Sequence, residues 1–403
     1  MTPTTAQSTA SGSERLPFLD ALRGFALLGI LVANIRGMPC STPPTAPIAD
    51  TVGFYATWLL EGKFYSLFSF LFGIGFSIQM IRGEQKGTRY VSFYLRRLAV
   101  LLVIGNLHAY LAWSGDILWL YATLGFLLLA FRRTSDRTVL AWALSLLLLP
   151  IPYYCALMVG YDGWDPSRWS IRTPPRDLFA WLPRDVPSQR DNSFSLGLGE
   201  ILSTNAKCML WRYNDLLMSG RPFRVLGMFL LGLYAGRKRI FENVEAHLPL
   251  IRRIFWFGLV AGLVMNLCMA VVRQGFFPLG MTGFYRTTCY TLGVHLLSLA
   301  YVAGLVLAWR TELGHRLLSL LVPHGRMALT NYLTQTAMYL VVFYRFGFAL
   351  HPSLEVTLFG IVPGYFILQV LWSHLWFRLF PQGQGPAEWV WRRLTYGWRG
   401  ATR

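Results

Sequence analysis

RRLAVLLVIGNLHAYLAWSGDILWLYATLGFLLLAFRR, residues 96–133, holds two apolar segments that meet at a turn without Lys or Arg and are closed at each end by paired arginines. Each segment is long enough, or nearly so, to cross hydrocarbon, for which about 20 apolar residues suffice. The stretch therefore predicts a transmembrane hairpin whose charged ends share one side of a bilayer. Working outward, the same pattern repeats. Apolar stretches fall at 17–35, 56–80, 94–111, 116–131, 137–158, 222–239, 251–272, 285–309, 326–346 and 354–379. Lys and Arg crowd every second connection: Arg82, Lys86 and Arg89, then Arg132, Arg133 and Arg137, then Arg237, Lys238 and Arg239, then Arg310 and Arg316. The intervening short connections carry little more than Arg36, Arg273 and Arg345. By the positive-inside rule the crowded set is cytoplasmic. The expected architecture is an all-α, polytopic membrane protein, a bundle of about ten transmembrane helices with N-terminus and C-terminus both inside.

The net charge of +18 belongs to this topology. In a soluble chain such a balance suggests nucleic acid, but here 54% of residues are apolar and the excess lies along one membrane face. The partners it implies are the lipid bilayer and phosphorylated cytoplasmic ligands, with no nucleic acid. Of the 37 cations 33 are Arg, which favours planar, bidentate contacts to phosphate. Residues 1–16 read as a disordered cytoplasmic tail, 17–380 as the helix bundle and 381–403 as a cytoplasmic interfacial tail. Asp20 and Arg23 interrupt the first apolar stretch, so it reads as a retained helix rather than a cleaved signal. The one long connection, 159–221, lies on the outer side. Its first half is broken by Pro166, Pro174, Pro175, Pro183 and Pro187, whereas Phe194 to Ser219 spaces apolar residues helically, as an amphipathic lid or a packing plug would. The five cysteines make neither a metal spacing nor a disulfide framework; Cys40 and Cys208 share the outer side and are a conceivable pair.

Ionisable groups within or beside hydrocarbon are costly, so each asks for a partner or a task. Asp20 and Arg23 lie three apart on helix 1; either they neutralise each other, or Arg23 faces a cavity and meets an entering phosphate. His108 ends one helix of the opening hairpin and Asp116 begins the next. A carboxylate that accepts from one imidazole nitrogen leaves the other free as a base, although a lone membrane histidine is more often structural. Glu61-Gly62-Lys63 opens the second span as a rim ion pair or a contact for an acceptor hydroxyl. After it, Gly73 and Gly75 leave room for a neighbouring helix. Asn331 and Gln335 share a helical face with Ala328, suited either to interhelical hydrogen bonding or to lining a ligand path. No Gly-rich phosphate loop, metal cluster or haem signature appears.

The segments Phe18-Leu-Asp-Ala-Leu-Arg-Gly-Phe-Ala-Leu-Leu-Gly-Ile-Leu-Val-Ala-Asn34, Gly62-Lys-Phe-Tyr-Ser-Leu-Phe-Ser-Phe-Leu-Phe-Gly73, Gly115-Asp-Ile-Leu118, Gly325-Arg-Met-Ala-Leu-Thr-Asn-Tyr332 and Gly385-Pro-Ala-Glu-Trp-Val-Trp-Arg-Arg-Leu-Thr-Tyr-Gly397 resemble the YeiB-like family of bacterial inner-membrane proteins, a family without a settled activity. They run from the first helix to the tail, so the resemblance covers essentially the whole chain. More distantly, the family is similar to transmembrane acyltransferases of the heparan-alpha-glucosaminide N-acetyltransferase type. That resemblance implies transfer of an acyl group from acyl-CoA, entering from the cytoplasm, to an amine or hydroxyl on the far side. It maps the Arg-Gly and the later Asn of helix 1 onto Arg23, Gly24 and Asn34. It also implies a histidine soon after that Asn, and here the sequence departs, because residues 35–60 hold none.

Acyl transfer needs a base, donors for the oxyanion and an anchor for phosphates. The residues present supply His108 with Asp116 as the base, Asn34 as a donor, and Arg23, Arg96, Arg97 and Arg326 with Asn331 as the donor-substrate contacts. Glu61 and Lys63 are the contacts for a small-molecule acceptor, such as a sugar or a lipid headgroup. The rival readings are a small-molecule or proton-coupled transporter, in which His108 and Asp116 relay protons, and a non-catalytic envelope protein. The absence of internal repeats weighs against transport.

Overall fold

The computed structural model describes residues 16–35, 46–85, 90–162, 198–274, 282–344, 346–350 and 352–397. Among these residues the regular structure is helical throughout, with no strand. Each of the ten apolar stretches is helical. α1 is Pro17–Ile35, and α2 (Ala46–Leu59) and α3 (Lys63–Gln85) follow. The opening hairpin is α4 (Tyr90–Leu111) and α5 (Leu118–Leu128), the latter extended by a 3₁₀ turn to Phe131. Next come α6 (Asp136–Leu148), α7 (Pro150–Asp162), α8 (Leu198–Met218), α9 (Arg221–Arg237), α10 (Val244–Arg273) and α11 (Thr282–Trp309). The short α12 (Glu312–Ser319) and α13 (Val322–Arg326) lead into α14 (Ala328–Phe343). A π-helical turn, Thr357–Ile361, precedes α15 (Val362–Leu379), and α16 is Pro386–Tyr396.

Six of these helices are long and apolar enough to cross a bilayer singly, or up to eight if each of two bent pairs counts as a span. The pairs are α6 with α7, bent by 40° ahead of Pro150, and α8 with α9, bent by 65° at Gly220. The expected ten is therefore not reached by length alone. The two that fall short are the segment 118–131 and the 16-residue α14. At 1.5 Å per residue, α14 extends only about 24 Å. The second predicted span is also interrupted, because Gly62, at φ +84°, turns the chain between α2 and α3.

The outward faces remain apolar. Trp256, Phe257, Val260 and Val264 form an exposed stripe on α10, and Ile367, Leu368, Leu371 and Leu375 form another on α15. Such stripes at helical spacing suit lipid contact and disfavour water. With the long apolar helices, they are the features of a multi-pass membrane protein.

Inside, small residues set the closest approaches, as expected of helix packing in lipid. A Cβ on Gly73 of α3 would sit 2.0 Å from the Phe229 carbonyl oxygen of α9, and one on Gly232 would sit 2.0 Å from that of Phe70. The two backbones therefore touch, and beside them Phe72 and Phe229 stack at 4.4 Å. Arg237 closes α9 against the hairpin by donating to the carbonyls of Phe131, Arg132 and Thr134, at 2.7, 2.8 and 2.7 Å. The tail does not simply lie at the surface: α16 packs back onto α4 and α14.

Candidate functional site

Asp116 is fully buried where α4 turns into α5, and four hydrogen bonds fix it. Its Oδ2 accepts from the amides of Leu118 and Trp119, at 2.7 and 3.3 Å, so the carboxylate caps the first turn of α5. Its Oδ1 meets His108 Nδ1 at 2.8 Å and accepts from the Tyr332 hydroxyl at 3.0 Å. The hairpin geometry produces this contact: Asp116 follows His108 by eight positions, and a turn closed by the Asp116 amide on the Trp113 carbonyl, with Ser114 and Gly115 at its centre, reverses the chain between them. With Nδ1–H donating to the carboxylate, Nε2 bears the lone pair. That nitrogen is buried and has no hydrogen-bond partner among the described residues. Tyr332, from α14, completes the group with its ring centroid 5.5 Å from that of His108.

A cavity of about 320 Å³ leads toward this group from the opposite end of the bundle. Its mouth has Asp20, Arg23, Arg97, Arg326 and Glu388; its middle is apolar, with Leu27, Phe68, Phe72, Leu98 and Leu101; its end is walled by Ile117, Leu118, Tyr121 and Tyr332. The last group includes the residues that hold Asp116, so the His108–Asp116 pair lies one layer behind the end wall. Along α4, Arg97 and His108 are 11 residues apart, about 16 Å of helix. The mouth opens into a second cavity of about 520 Å³ beneath α16, and Arg97, Arg326, Glu388 and Trp391 line both. Here the Arg97 guanidinium lies 4.2 Å over the Trp391 ring, and that of Arg326 lies 3.8 Å over Phe377. Glu388 anchors α16: it accepts from the Leu329 and Thr330 amides and from the Thr330 hydroxyl, at 2.6, 3.2 and 2.6 Å, at the N-terminus of α14. Burial nevertheless pushes its carboxyl above the usual range, with the Thr330 hydroxyl and these amides opposing the rise.

The remaining expected residues divide. Arg23 both pairs with Asp20, at 2.5 Å, and lines the cavity mouth. Arg96 is exposed on α4, outside both cavities. Asn331 faces away from the cavity: its Nδ2 donates to His324 Nδ1 and to the His324 carbonyl, both at 2.9 Å, and to Ser373 at 3.2 Å. It joins α13, α14 and α15. This is the interhelical alternative, and Gln335, which donates to Gln369 at 3.2 Å, shares it. Because Asn331 Nδ2 donates to His324 Nδ1, His324 carries its proton on Nε2, and burial lowers its pKa from 6.5 to about 4. Glu61 and Lys63 do not pair with each other. Glu61 takes Arg273 at 2.6 Å, whereas Lys63 is fully buried and donates to the Thr57 carbonyl at 2.8 Å, closing the end of α2. Asn34 sits half-buried at the far end of α1, outside the cavity lining. Cys40 lies outside the described residues, so its pairing with Cys208 has no structural counterpart here.

The sequence reading missed Tyr332, Trp391 and Glu388. Tyr332 had a signal, since on a helix it shares the face of Ala328 one turn earlier, and both line the cavity.

Residues 235–398 match the family described as "Protein of unknown function (DUF418)". The chain is 32% identical over 402 residues to "Uncharacterized protein YxaH" of Bacillus subtilis (strain 168), covering 95% of each chain. It is 30% identical to an "Uncharacterized 39.9 kDa protein in amylase 3'region" of Bacillus acidopullulyticus, over 95% of this chain and 94% of that one. It is 28% identical to "Uncharacterized protein YeiB" of Escherichia coli (strain K12), over 95% of this chain and 96% of that one. No solved structure matches. The similarity runs nearly end to end at this level, and the chain belongs to the YeiB-like family.

Proposed function

We propose that the protein is a transmembrane acyltransferase of the bacterial inner membrane, with ten spans and both termini in the cytoplasm. It takes acyl-CoA from the cytoplasmic side and delivers the acyl group to an amine or hydroxyl on the other. One observation carries this reading: a basic, aromatic vestibule opens into an apolar cavity that ends against the wall holding His108 and Asp116. The parts match the substrate in order. Arg97 and Arg326, with Arg23 deeper, suit phosphates; Trp391 offers a flat apolar face; the apolar stretch suits the pantetheine arm and acyl chain.

His108 Nε2 takes the proton of the acceptor O–H or N–H as that atom attacks the thioester carbonyl carbon. The C–S bond then breaks, and the thiolate of CoA leaves with the proton that His108 returns. Asp116 does not accept the proton. It holds the ring's tautomer and stabilises the imidazolium, and Tyr332 and two amides hold Asp116 in turn. Tyr332 stands between cavity and dyad, so the thioester reaches the base at this residue.

The test uses the full chain purified in detergent. Acetyl-CoA and a longer acyl-CoA are titrated, and thioester loss is followed as free thiol. Saturable binding that Arg97→Gln and Arg326→Gln weaken, with slow hydrolysis that His108→Ala abolishes, is the expected result. A chain that binds no acyl-CoA at millimolar concentration is not this enzyme. Proton-coupled uptake of a solute by vesicles holding the protein, lost in His108→Ala, would favour transport instead.

A further inference from the structure

We infer that Arg212, Arg221 and Arg224 form a second, anion-binding subsite at the end of the bundle opposite the vestibule, built for a phosphate ester. Three guanidiniums from α8 and α9 are packed there within electrostatic reach in series, Arg212 with Arg221 and Arg221 with Arg224. Arg224 is 5% exposed. It donates to the Thr291 hydroxyl at 3.2 Å and lies 4.5 Å over the face of Tyr290, and its Nε is buried without a hydrogen-bond partner among the described residues. The Arg212 Nε is likewise buried and unpartnered. Among the described residues, one carboxylate forms ion pairs with the cluster, while Asp116 lies within electrostatic reach of Arg212 and Glu61 of Arg221. Asp215, 55% exposed, meets Arg212 at 3.1 Å and Arg221 at 3.8 Å. Glu61 is already engaged by Arg273 at 2.6 Å and by Arg286 at 3.9 Å.

Buried cations without matching anions are expensive, and like charges side by side add to the cost. An arginine buried like Arg224, with Arg221 and Arg212 beside it, suits an anion that arrives as ligand. Guanidinium donors suit the multiple oxygens of phosphate. The placement is also directed. Arg212 Nη2 donates to the Gly115 carbonyl at 3.5 Å, and its charge reaches Asp116 and Tyr332. Arg221 reaches Tyr121, which walls the end of the cavity. A phosphate held here would place the rest of its molecule beside the dyad, opposite the donor. That the molecule is the acyl acceptor rests on the acyl-transfer reading; that the cluster binds phosphate does not.

The ester is either a lipid headgroup or a soluble phosphate, and two arms separate them. The full chain is placed in nanodiscs of phosphatidylcholine, with or without phosphatidylglycerol, and retained lipid is read by native mass spectrometry. Glycerol 3-phosphate is titrated into the phosphatidylcholine preparation by calorimetry. Arg212→Gln and Arg221→Gln are the variants, because both side chains are partly exposed and tolerate change better than Arg224. We expect at least one probe to bind and each variant to weaken it by tenfold or more, with Arg316→Gln, an exposed residue paired with Glu312 and remote from both sites, leaving it unaltered. Phosphatidylglycerol retention alone identifies a lipid headgroup, and glycerol 3-phosphate binding a soluble ester. Binding of neither probe overturns the inference, as does binding that Arg212→Gln and Arg221→Gln leave intact in normally melting protein. Acyl-CoA binding, measured on the same preparations, reports separately on the donor reading.

Discussion

Asp116 carries two duties that substitutions can separate. Its Oδ2 caps α5 and its Oδ1 holds His108 and Tyr332. Asp116→Ala removes both and should cost about 1–2 kcal/mol of stability from the lost cap alone. Asp116→Asn keeps an oxygen for one duty and should melt closer to wild type, while activity falls because the ring loses its carboxylate. Tyr332→Phe deletes a single hydrogen bond and should cost far less turnover than the roughly 10²–10⁴-fold expected for His108→Ala. Melting and thioester turnover of the four proteins check this; if His108→Ala keeps full turnover, His108 is a packing residue. A second residue-scale consequence concerns His324, buried neutral near the start of α14. Its pKa lies near 4 in the folded protein against 6.5 ordinarily, so the unfolded chain binds the extra proton between those values. Its contribution is therefore complete above pH 6.5 and lost as pH falls toward 4. The displacement corresponds to roughly 3 kcal/mol. His324→Gln retains an acceptor for Asn331 but cannot titrate, so its melting temperature should fall less than that of wild type between pH 7 and pH 4.5. Parallel melting curves would remove this role.

At the scale of elements, the helices were legible because apolar runs of 16 residues or more leave few alternatives in lipid, and the small residues after Lys63 announced a close neighbour. That neighbour is α9. Replacing Gly73 by Ala puts a methyl 2.0 Å from a backbone carbonyl, which no rotamer change relieves. The expected cost is at the upper end of the 1–3 kcal/mol typical of overpacking, or above it. An unchanged melting temperature for Gly73→Ala would mean that α3 and α9 do not touch as described. What escaped the sequence were features decided by long-range packing. Glu61 chose Arg273, more than 200 residues away, over Lys63 two residues along. Asn331 turned to α15 and left the cavity face to Tyr332, because a helix presents neighbours about 100° apart. The docking of α16, which builds the vestibule through Glu388 and Trp391, depends on contacts that span 59 and 294 residues. The pairing of His108 with Asp116 was readable because a tight hairpin made a distant contact local.

For the whole molecule, the direction of the proposed chemistry depends on which end of the bundle faces the cytoplasm, and charge is the physical handle on that. The vestibule end carries Arg23, Arg97 and Arg326 with the arginine pairs of the connections, and the other end carries the His108–Asp116 group. Anionic lipids and the membrane potential both hold clustered Lys and Arg inside; the short connections at the other end carry few, and a long connection such as 159–221 translocates largely regardless of its charge. The expected topology places α16 in the cytoplasm, where acyl-CoA is available, and the connection 159–221 outside. Reporter fusions at Thr173 and after Arg403 should thus be active on opposite sides of the membrane. A fusion pair reporting the same side would leave an even number of crossings between them, against the five that the ten-span topology requires. A pair on opposite sides but reversed would turn the vestibule outward, away from any acyl-CoA pool, and the acyltransferase reading would then fail even with every residue of the site in place.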